Sequence, residues 1–414
     1  MLLGAAPVAL ALGLAFLACG LGGCIDDSVS APDDSCSNCP LPDIGWSDAA
    51  DVGWDSSLDA SSDAGTDAGV DDWGLDPDAW VEFPPCDATE IQLPPSGQNT
   101  IGNVSNMGRY VVYDENRYLD PLRHDVYLYD LQACHEYQVT NKLWSQAAPF
   151  IWENSIAFGD IPGSNTWESN LILFDLQTLS FTPLTVSTNG TSPRFNGRYI
   201  VYDSWENTAI DGMDLMLFDL VTDDEVLLAE YWQGAENVSI SSTHAAWVAW
   251  GGPDKDVFFV DLDTKAITQV ASTWEPYTAH TATWGDWVLW EDRRHGMSDV
   301  YALRISTSEE IRLTDNGVYN GRPTLRGSIA CWRTNFYEPT VGWDLVVYDM
   351  ETQVLRRVTR EQHPRYKPGI VDNGWLVYQK QTFPGDYWRN TIHAIDLIAA
   401  GILDSTGQHV LPEP

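Results

Sequence analysis

The feature that most constrains this chain is a segment that returns, slightly altered, every forty-odd residues. Its clearest form is a strand-like run closed by an acid and an aliphatic residue. It reads Asp125-Val-Tyr-Leu-Tyr-Asp130-Leu131, then Asn170-Leu-Ile-Leu-Phe-Asp175-Leu176 and Asp214-Leu-Met-Leu-Phe-Asp219-Leu220. Asp256-Val-Phe-Phe-Val-Asp261-Leu262, Asp299-Val-Tyr-Ala-Leu-Arg304-Ile305, Asp344-Leu-Val-Val-Tyr-Asp349-Met350 and Thr391-Ile-His-Ala-Ile-Asp396-Leu397 complete the set. From Asp130 the anchors lie 45, 44, 42, 43, 45 and 47 residues apart, so there are seven units.

A second strand precedes each anchor in step and ends on an aromatic: Tyr113, Phe158, Tyr202, Trp250, Trp290, Trp332 and Tyr378. These rings are expected in the core between neighbouring units, because large aromatics dominate core burial. A third strand follows the anchor, as in Glu309-Glu-Ile-Arg-Leu-Thr314, and a fourth opens each unit, often with Pro (Pro149, Pro193, Pro323, Pro368). Proline suits the first residue of a strand, where no ladder donor is needed. The runs are short, rich in β-branched and aromatic residues and bounded by turn residues. No long segment shows helical periodicity. Four strands per unit and seven units predict an all-β fold, a seven-bladed β-propeller of four-stranded blades. Radial closure removes the exposed edges of a linear array. Leu93 stands twenty residues before Tyr113, the offset at which Val270 precedes Trp290 and Val358 precedes Tyr378. The run Ala88–Leu93 is therefore expected to supply the outer strand of the last blade and join the ring.

The fifth unit reads Gly285-Asp-Trp-Val-Leu-Trp-Glu-Asp-Arg-Arg-His-Gly-Met-Ser-Asp-Val-Tyr301, then Ile311-Arg-Leu-Thr-Asp315. It resembles the repeat of TolB-like periplasmic and cell-surface propellers. In those an aromatic strand leads into an acidic-Arg turn, an Asp-Ile-Tyr strand and a Leu-Thr-Asp close. The resemblance covers roughly residues 87 to 400 and implies a fold, not a function. TolB itself has six blades and an N-terminal α/β domain, where this chain has an Asp-rich stretch, so a Tol–Pal role is not implied. Prolyl-oligopeptidase-type enzymes also carry propellers, but no hydrolase domain is expected here, since the sequence has no Gly-x-Ser-x-Gly elbow.

The N-terminal end follows other rules. Residues 1–23 are almost wholly apolar and close on small residues, the pattern of a secretory signal. Leu21-Gly22-Gly23-Cys24 resembles the lipobox of bacterial lipoproteins, which makes Cys24 the lipidated residue, although no Lys or Arg precedes the apolar run. An uncleaved membrane span is the competing reading of such a segment. Residues 24–85 are dominated by Asp, Ser, Ala and Gly. Such a stretch repels itself and has too little apolar surface to offset ordering, so it reads as a disordered tether. Its end-to-end reach is on the order of 40 Å. The propeller is expected over 86–414. The implied location is the bacterial envelope: an outer-membrane lipoprotein, periplasmic or surface-exposed.

Export places the cysteines in an oxidising compartment. Cys36 and Cys39 are close enough to bond. Cys86 and Cys134 precede outer strands of the last and first blades, where a disulfide would lock the closure. Cys331, between Ala330 and Trp332, is expected to be a buried free thiol.

Charge narrows the partners. The chain holds 60 acidic and 22 basic residues, a net charge of −38. Beyond residue 100 the balance is 42 to 22, or −20. Nucleic acid needs a basic surface and is excluded as a partner, as is docking on anionic lipid heads. Membrane contact would run through the N-terminal lipid alone. A protein or glycan ligand remains, and a monomer is expected. The Asp that opens the anchor strand (Asp125, Asp214, Asp256, Asp299, Asp344) recurs in most units and reads as a register pin accepting turn amides.

Function on a repeat scaffold sits where repeats differ. Ten residues before each strand-ending aromatic stand Asn103, Ala148, Ser192, Ile240, His280 and Arg322, with Lys367 one position further back in the last unit. His280, Arg322 and Lys367 fall in three consecutive blades at one height. Such a cationic cluster at a channel mouth suits a carboxylate ligand, such as a uronic acid or an acidic peptide side chain. Polysaccharide lyases on similar propellers use His-rich metal sites, but no His pair here has His-x-x-x-His spacing, and no metal or other cofactor is expected. Two functions stand: a lipid-anchored envelope binding or scaffold module for a protein or glycan, or a carbohydrate-active lyase or hydrolase acting on an acidic polysaccharide.

Overall fold

The computed structural model describes residues 89–93, 101–117, 123–162, 169–184, 189–205, 214–230, 236–250, 255–273, 280–337, 342–360, 366–381 and 390–404, all within the compact unit 67–414. The signal segment, Cys24, the Asp-rich stretch, Cys36, Cys39 and Cys86 lie outside them. The described residues form 28 strands in seven four-stranded antiparallel sheets. Each of the first six blades is four strands consecutive in the chain. Blade 1, for example, is Ile101–Met107, Tyr110–Glu115, Asp125–Asp130 and His135–Gln138.

The seventh blade is the exception, and it closes the ring as expected. Tyr366–Asp372, Trp375–Gln381 and Asn390–Asp396 come from the C-terminal end, and the outermost strand is Glu90–Gln92. Ile91 pairs with Ala394, and the Leu93 amide donates to the Ile392 carbonyl at 2.9 Å. A side-chain contact shows that Glu90 belongs to the repeat. The core tyrosine of blade 1, Tyr113, donates to Glu136 of its outer strand, and Tyr202 of blade 3 donates to Glu225 at 2.5 Å. Tyr378 of blade 7 donates to Glu90 at 2.6 Å, so Glu90 fills the same place from the opposite end of the chain.

The His393 imidazole pairs with Glu90 at 2.9 Å. That hydrogen bond, with help from Tyr378 against the cost of burial, holds the Glu90 carboxyl down at about 2. A carboxylate with a depressed folded pKa stabilises above its unfolded value and loses that contribution as pH falls through the folded one. With Glu90 the loss runs from pH 4.5 down to about 2. The side chain is 40 % exposed, so solvent screening limits the effect to about 1 kcal/mol. Glu90→Gln is expected to lower the melting temperature by a constant amount above pH 5, with the gap to wild type closing below pH 4; a gap independent of pH would remove this account.

The anchor residue explains itself in the turn between third and fourth strands. Its carboxylate accepts the amides two and three residues on. Asp175 takes Gln177 and Thr178 at 2.8 Å each, and Asp396 takes Ile398 and Ala399 at 2.9 Å each. Asp130, Asp261 and Asp349 do likewise, and Asp219 takes the Val221 amide. Blade 5 has Arg304 instead. There Asp286, from the turn between the first two strands, receives the Ser306 amide at 2.7 Å and the Arg304 Nε at 3.0 Å. The Asp that opens the strand works differently from expectation. Asp299 takes no turn amide but the Arg312 guanidinium at 2.6 Å and the Thr314 hydroxyl at 2.9 Å, both from the outer-strand side. Asp344 repeats this with Arg357 and Thr359. These acids pin strand to strand.

The core lies between blades. Tyr113, Phe158, Tyr202, Trp290, Trp332 and Tyr378 are 0–2 % exposed. In blade 4 the place belongs to Trp247, not Trp250. Trp247 is 1 % exposed, pairs with Phe258 and stacks on it at 5.7 Å, as Trp290 stacks on Tyr301 at 5.8 Å. Trp250 pairs with Lys255 at the strand end. Ile240, placed ten residues before Trp250, consequently sits in the core opposite Ala245 and not at the channel mouth. Cys331 is free and fully buried, and burial pushes its thiol up. Cys134 is disulfide-bonded.

Candidate functional site

The innermost strands all run from one end of the central channel, the mouth, to the other. A bulge interrupts the pairing near the mouth in blades 1, 2, 3, 4 and 6. In blade 7 the shift falls after Pro368, which pairs with Tyr378. Pro149, Pro193 and Pro323, expected to open their strands, instead sit inside the bulge, where the ladder skips a donor. The residue before each takes a left-handed backbone: φ is 55° at Ala148, 51° at Ser192 and 55° at Arg322. That conformation is uncommon for a residue with a side chain. At Ala148 and Arg322 neighbouring acids hold it. Asp114, just after the core aromatic of blade 1, accepts the Ala148 amide of blade 2 at 3.2 Å and the Asn103 amide at 2.7 Å. Glu291, just after Trp290, accepts the Arg322 amide of blade 6 at 3.1 Å. The device fastens Ala148 and Arg322 to the blade before; at Ser192 the matching place in blade 2 is Gly159, and no acid stands there.

His280 and Arg322 line one cavity of about 340 Å³, with Asn103, Arg194, Pro368 and Gln379. Lys367 pairs with Gln379 one position before Pro368, so its backbone is at the expected height; its side chain lies outside the described ones. Around His280 and Arg322 the structure adds residues that periodicity did not single out. Glu291 is a buried hub. It receives the Ser298 hydroxyl at 2.7 Å and stands 3.4 Å from His280 Nδ1. Burial pushes its carboxyl up, but His280, Ser298 and Tyr319 together hold it below the usual carboxylate range. Gly321 permits this approach. A Cβ there would meet Glu291 Oε2 at 2.5 Å and the Tyr319 hydroxyl at 2.6 Å. Arg333 donates to that hydroxyl at 3.0 Å and lies over the Trp343 ring at 4.7 Å. Tyr319 and Trp343 meet edge to face at 4.4 Å.

The electrostatics are one-sided. Burial drives His280 below its ordinary range despite Glu291, and the charges of Arg322 and Arg333 push it further. Arg322 is lowered by burial and then by Arg333. Among the described residues His280 and Arg322 face one buried carboxylate, Glu291, whose bonding capacity is largely used, and Arg333 reaches it only through the Tyr319 hydroxyl. Nε of both Arg322 and Arg333 is buried without a hydrogen-bond partner. At the position of blade 3 that matches Asp114 and Glu291 stands Asp203, pushed up to about 6 by burial against the opposing pull of Arg194. Among the described residues no group of three or more His, Cys, Asp or Glu is placed to hold a metal ion. Arg333, Glu291 and Asp203 share a sequence signal: each directly follows a core aromatic, a position at which the repeats differ in charge.

No family model matches this chain, and no curated protein matches it. Solved structures do. The β-propeller domain of the trilobed protease from Pyrococcus furiosus superposes with a TM-score of 0.54 at 13% identity, covering 72% of this chain and 95% of that one. An oligogalacturonate lyase in complex with manganese gives 0.53 at 14% identity, covering 74% and 92%. TolB from Acinetobacter baumannii gives 0.41 at 16% identity, covering 72% and 79%, too loose a fit to add an argument. At these identities the likeness is one of fold: the chain is a seven-bladed β-propeller.

Proposed function

We propose that this chain is a cell-envelope binding module, anchored through Cys24, whose channel mouth takes a carboxylate-bearing glycan. The observation that carries the reading is Arg322 at the channel, with Arg333 behind it and a His280 that burial keeps uncharged, in a strongly anionic protein. Anions are the class of ligand that such a site favours, and guanidiniums bind carboxylates in paired hydrogen bonds. The aromatic pair Tyr319 and Trp343 beside Arg333, and the polar lining of Asn103, Thr281, Thr324 and Gln379, suit a sugar ring better than an apolar peptide face.

Calorimetry on the full chain tests this with a tetra-uronide and a neutral tetrasaccharide of equal length. The uronide should bind, weakening with added salt, and the neutral sugar should not. Arg322→Ala and Arg333→Ala should each weaken binding about 10- to 100-fold, the size of a charge-assisted hydrogen bond. An intact melting transition with no uronide binding would overturn the glycan reading. In the same preparation, Cys24→Ser should move the chain from the membrane to the soluble fraction. A second reading, an acidic-polysaccharide lyase or hydrolase, is favoured by Asp203, whose pKa of about 6 suits a general acid. Release of shorter uronides during incubation, lost in Asp203→Asn, would select it.

A further inference from the structure

At the end of the channel away from the mouth, side chains from several blades meet. Its floor is built at the last residues of the innermost strands. Trp152 and Trp284, from blades 2 and 5, stand 5.6 Å apart, and the Arg326 guanidinium lies 5.6 and 5.1 Å from their rings. Arg326 is 6 % exposed, paired with Asp372 at 2.8 Å and donating to the Asn106 carbonyl at 3.3 Å. On this floor stands an inner chamber of about 190 Å³ that Trp284 and Arg326 share with Ser105, Asn106, Ser239 and Thr283. The outer chamber holds His280 and Arg322. Arg194 lines both chambers, and the Arg326 charge below is matched by Asp372, so hydroxyls and amides are the other polar groups facing the inner chamber. Two buried atoms at different depths have no hydrogen-bond partner: Gln379 Oε1 in the outer chamber and Ser239 Oγ in the inner one. Buried polar atoms are nearly always bonded, so both point to a hydroxyl-rich ligand that reaches past the rim.

We infer that this cup takes the terminal residue of an acidic glycan and not a stretch within it. The inference rests on the glycan reading above and adds which part of the chain is recognised. A polymer threaded through a propeller must leave by the far end, and here Trp152, Trp284 and Arg326 occupy that end. Entering and leaving by one mouth would demand a hairpin that a stiff pyranose chain does not make in so narrow a space.

The experiment is calorimetry of the full chain against uronides of two, four and eight residues. Each is also used with a bulky amine coupled at its reducing end, and with a blocking group at its non-reducing end. One protein per oligomer at every length, equal affinity from four residues to eight, and a loss of at least tenfold from a block at one end are expected. Ser239→Ala, a change too small to disturb the fold, should weaken binding three- to tenfold, the range of one neutral hydrogen bond. A stoichiometry that grows with length, or indifference to blocks at both ends, overturns the inference and leaves the glycan reading in place. No binding to any uronide removes both.

Discussion

Replacing Arg326 by methionine is expected to lower the stability of the propeller by about 3 kcal/mol, the lower part of the range for breaking a buried ion pair from one side. Asp372, 20 % exposed, keeps the Gly108 amide at 2.5 Å but loses its cation. Three consecutive blades meet at this pair. Arg326 belongs to blade 6, Asp372 to blade 7, and Gly108 and Asn106 to blade 1. The pair therefore spans the junction where the two ends of the chain are joined, in addition to forming the floor of the channel. Asp372→Asn in the Arg326→Met background should recover much of the loss, because it removes the stranded charge. Urea unfolding of wild type and the two variants reads this directly. An Arg326→Met protein as stable as wild type would show that the pair contributes only shape.

The second large effect is expected at Trp247→Ala, about 3–5 kcal/mol, the cost of emptying a filled aromatic site in a core. Trp247 is 1 % exposed, and its ring Nε1 is buried without a partner. Trp247→Phe should thus cost far less than alanine, since it keeps most of the packing and removes an unbonded donor. Chemical denaturation of both variants is the measurement. Equal losses for phenylalanine and alanine would mean that the indole nitrogen is bonded in solution.

Trp247 also shows where the repeat pattern misleads. Trp247 and Trp250 are both aromatic and three residues apart, and the interval rule selected the wrong one. Strand side chains alternate faces, so spacing along the chain cannot by itself say which residue faces the next blade. Only pairing with the next strand, Phe258 against Trp247, decides which of them enters the core. The seven blades and the closing strand were legible because both depend on spacing along the chain. Leu93 stands at the same distance from Tyr113 as Val270 does from Trp290 and Val358 from Tyr378. His280 and Arg322 were legible as departures from the repeat. Arg333, Tyr319 and Glu291 were not, because the cluster combines a strand position, a loop and a neighbouring blade. The floor was least legible of all. Trp152, Trp284, Arg326 and Asp372 lie in four different blades, and no local pattern joins them before the ring is closed. The opening acids were recognised as structural, but their partners were not. A carboxylate at a strand start can take turn amides or outer-strand cations, and the choice depends on Arg312 and Arg357 arriving from the outer-strand side.

The closing strand has a consequence for the whole ring. Glu90–Gln92 is the outermost strand of blade 7 and lies N-terminal to every other described strand. This one short strand decides whether the ring is continuous. It is held by a three-residue ladder, by the buried Leu93 and by the contacts of Glu90 with His393 and Tyr378. Without it the closed ring becomes an open one, with six blades still complete.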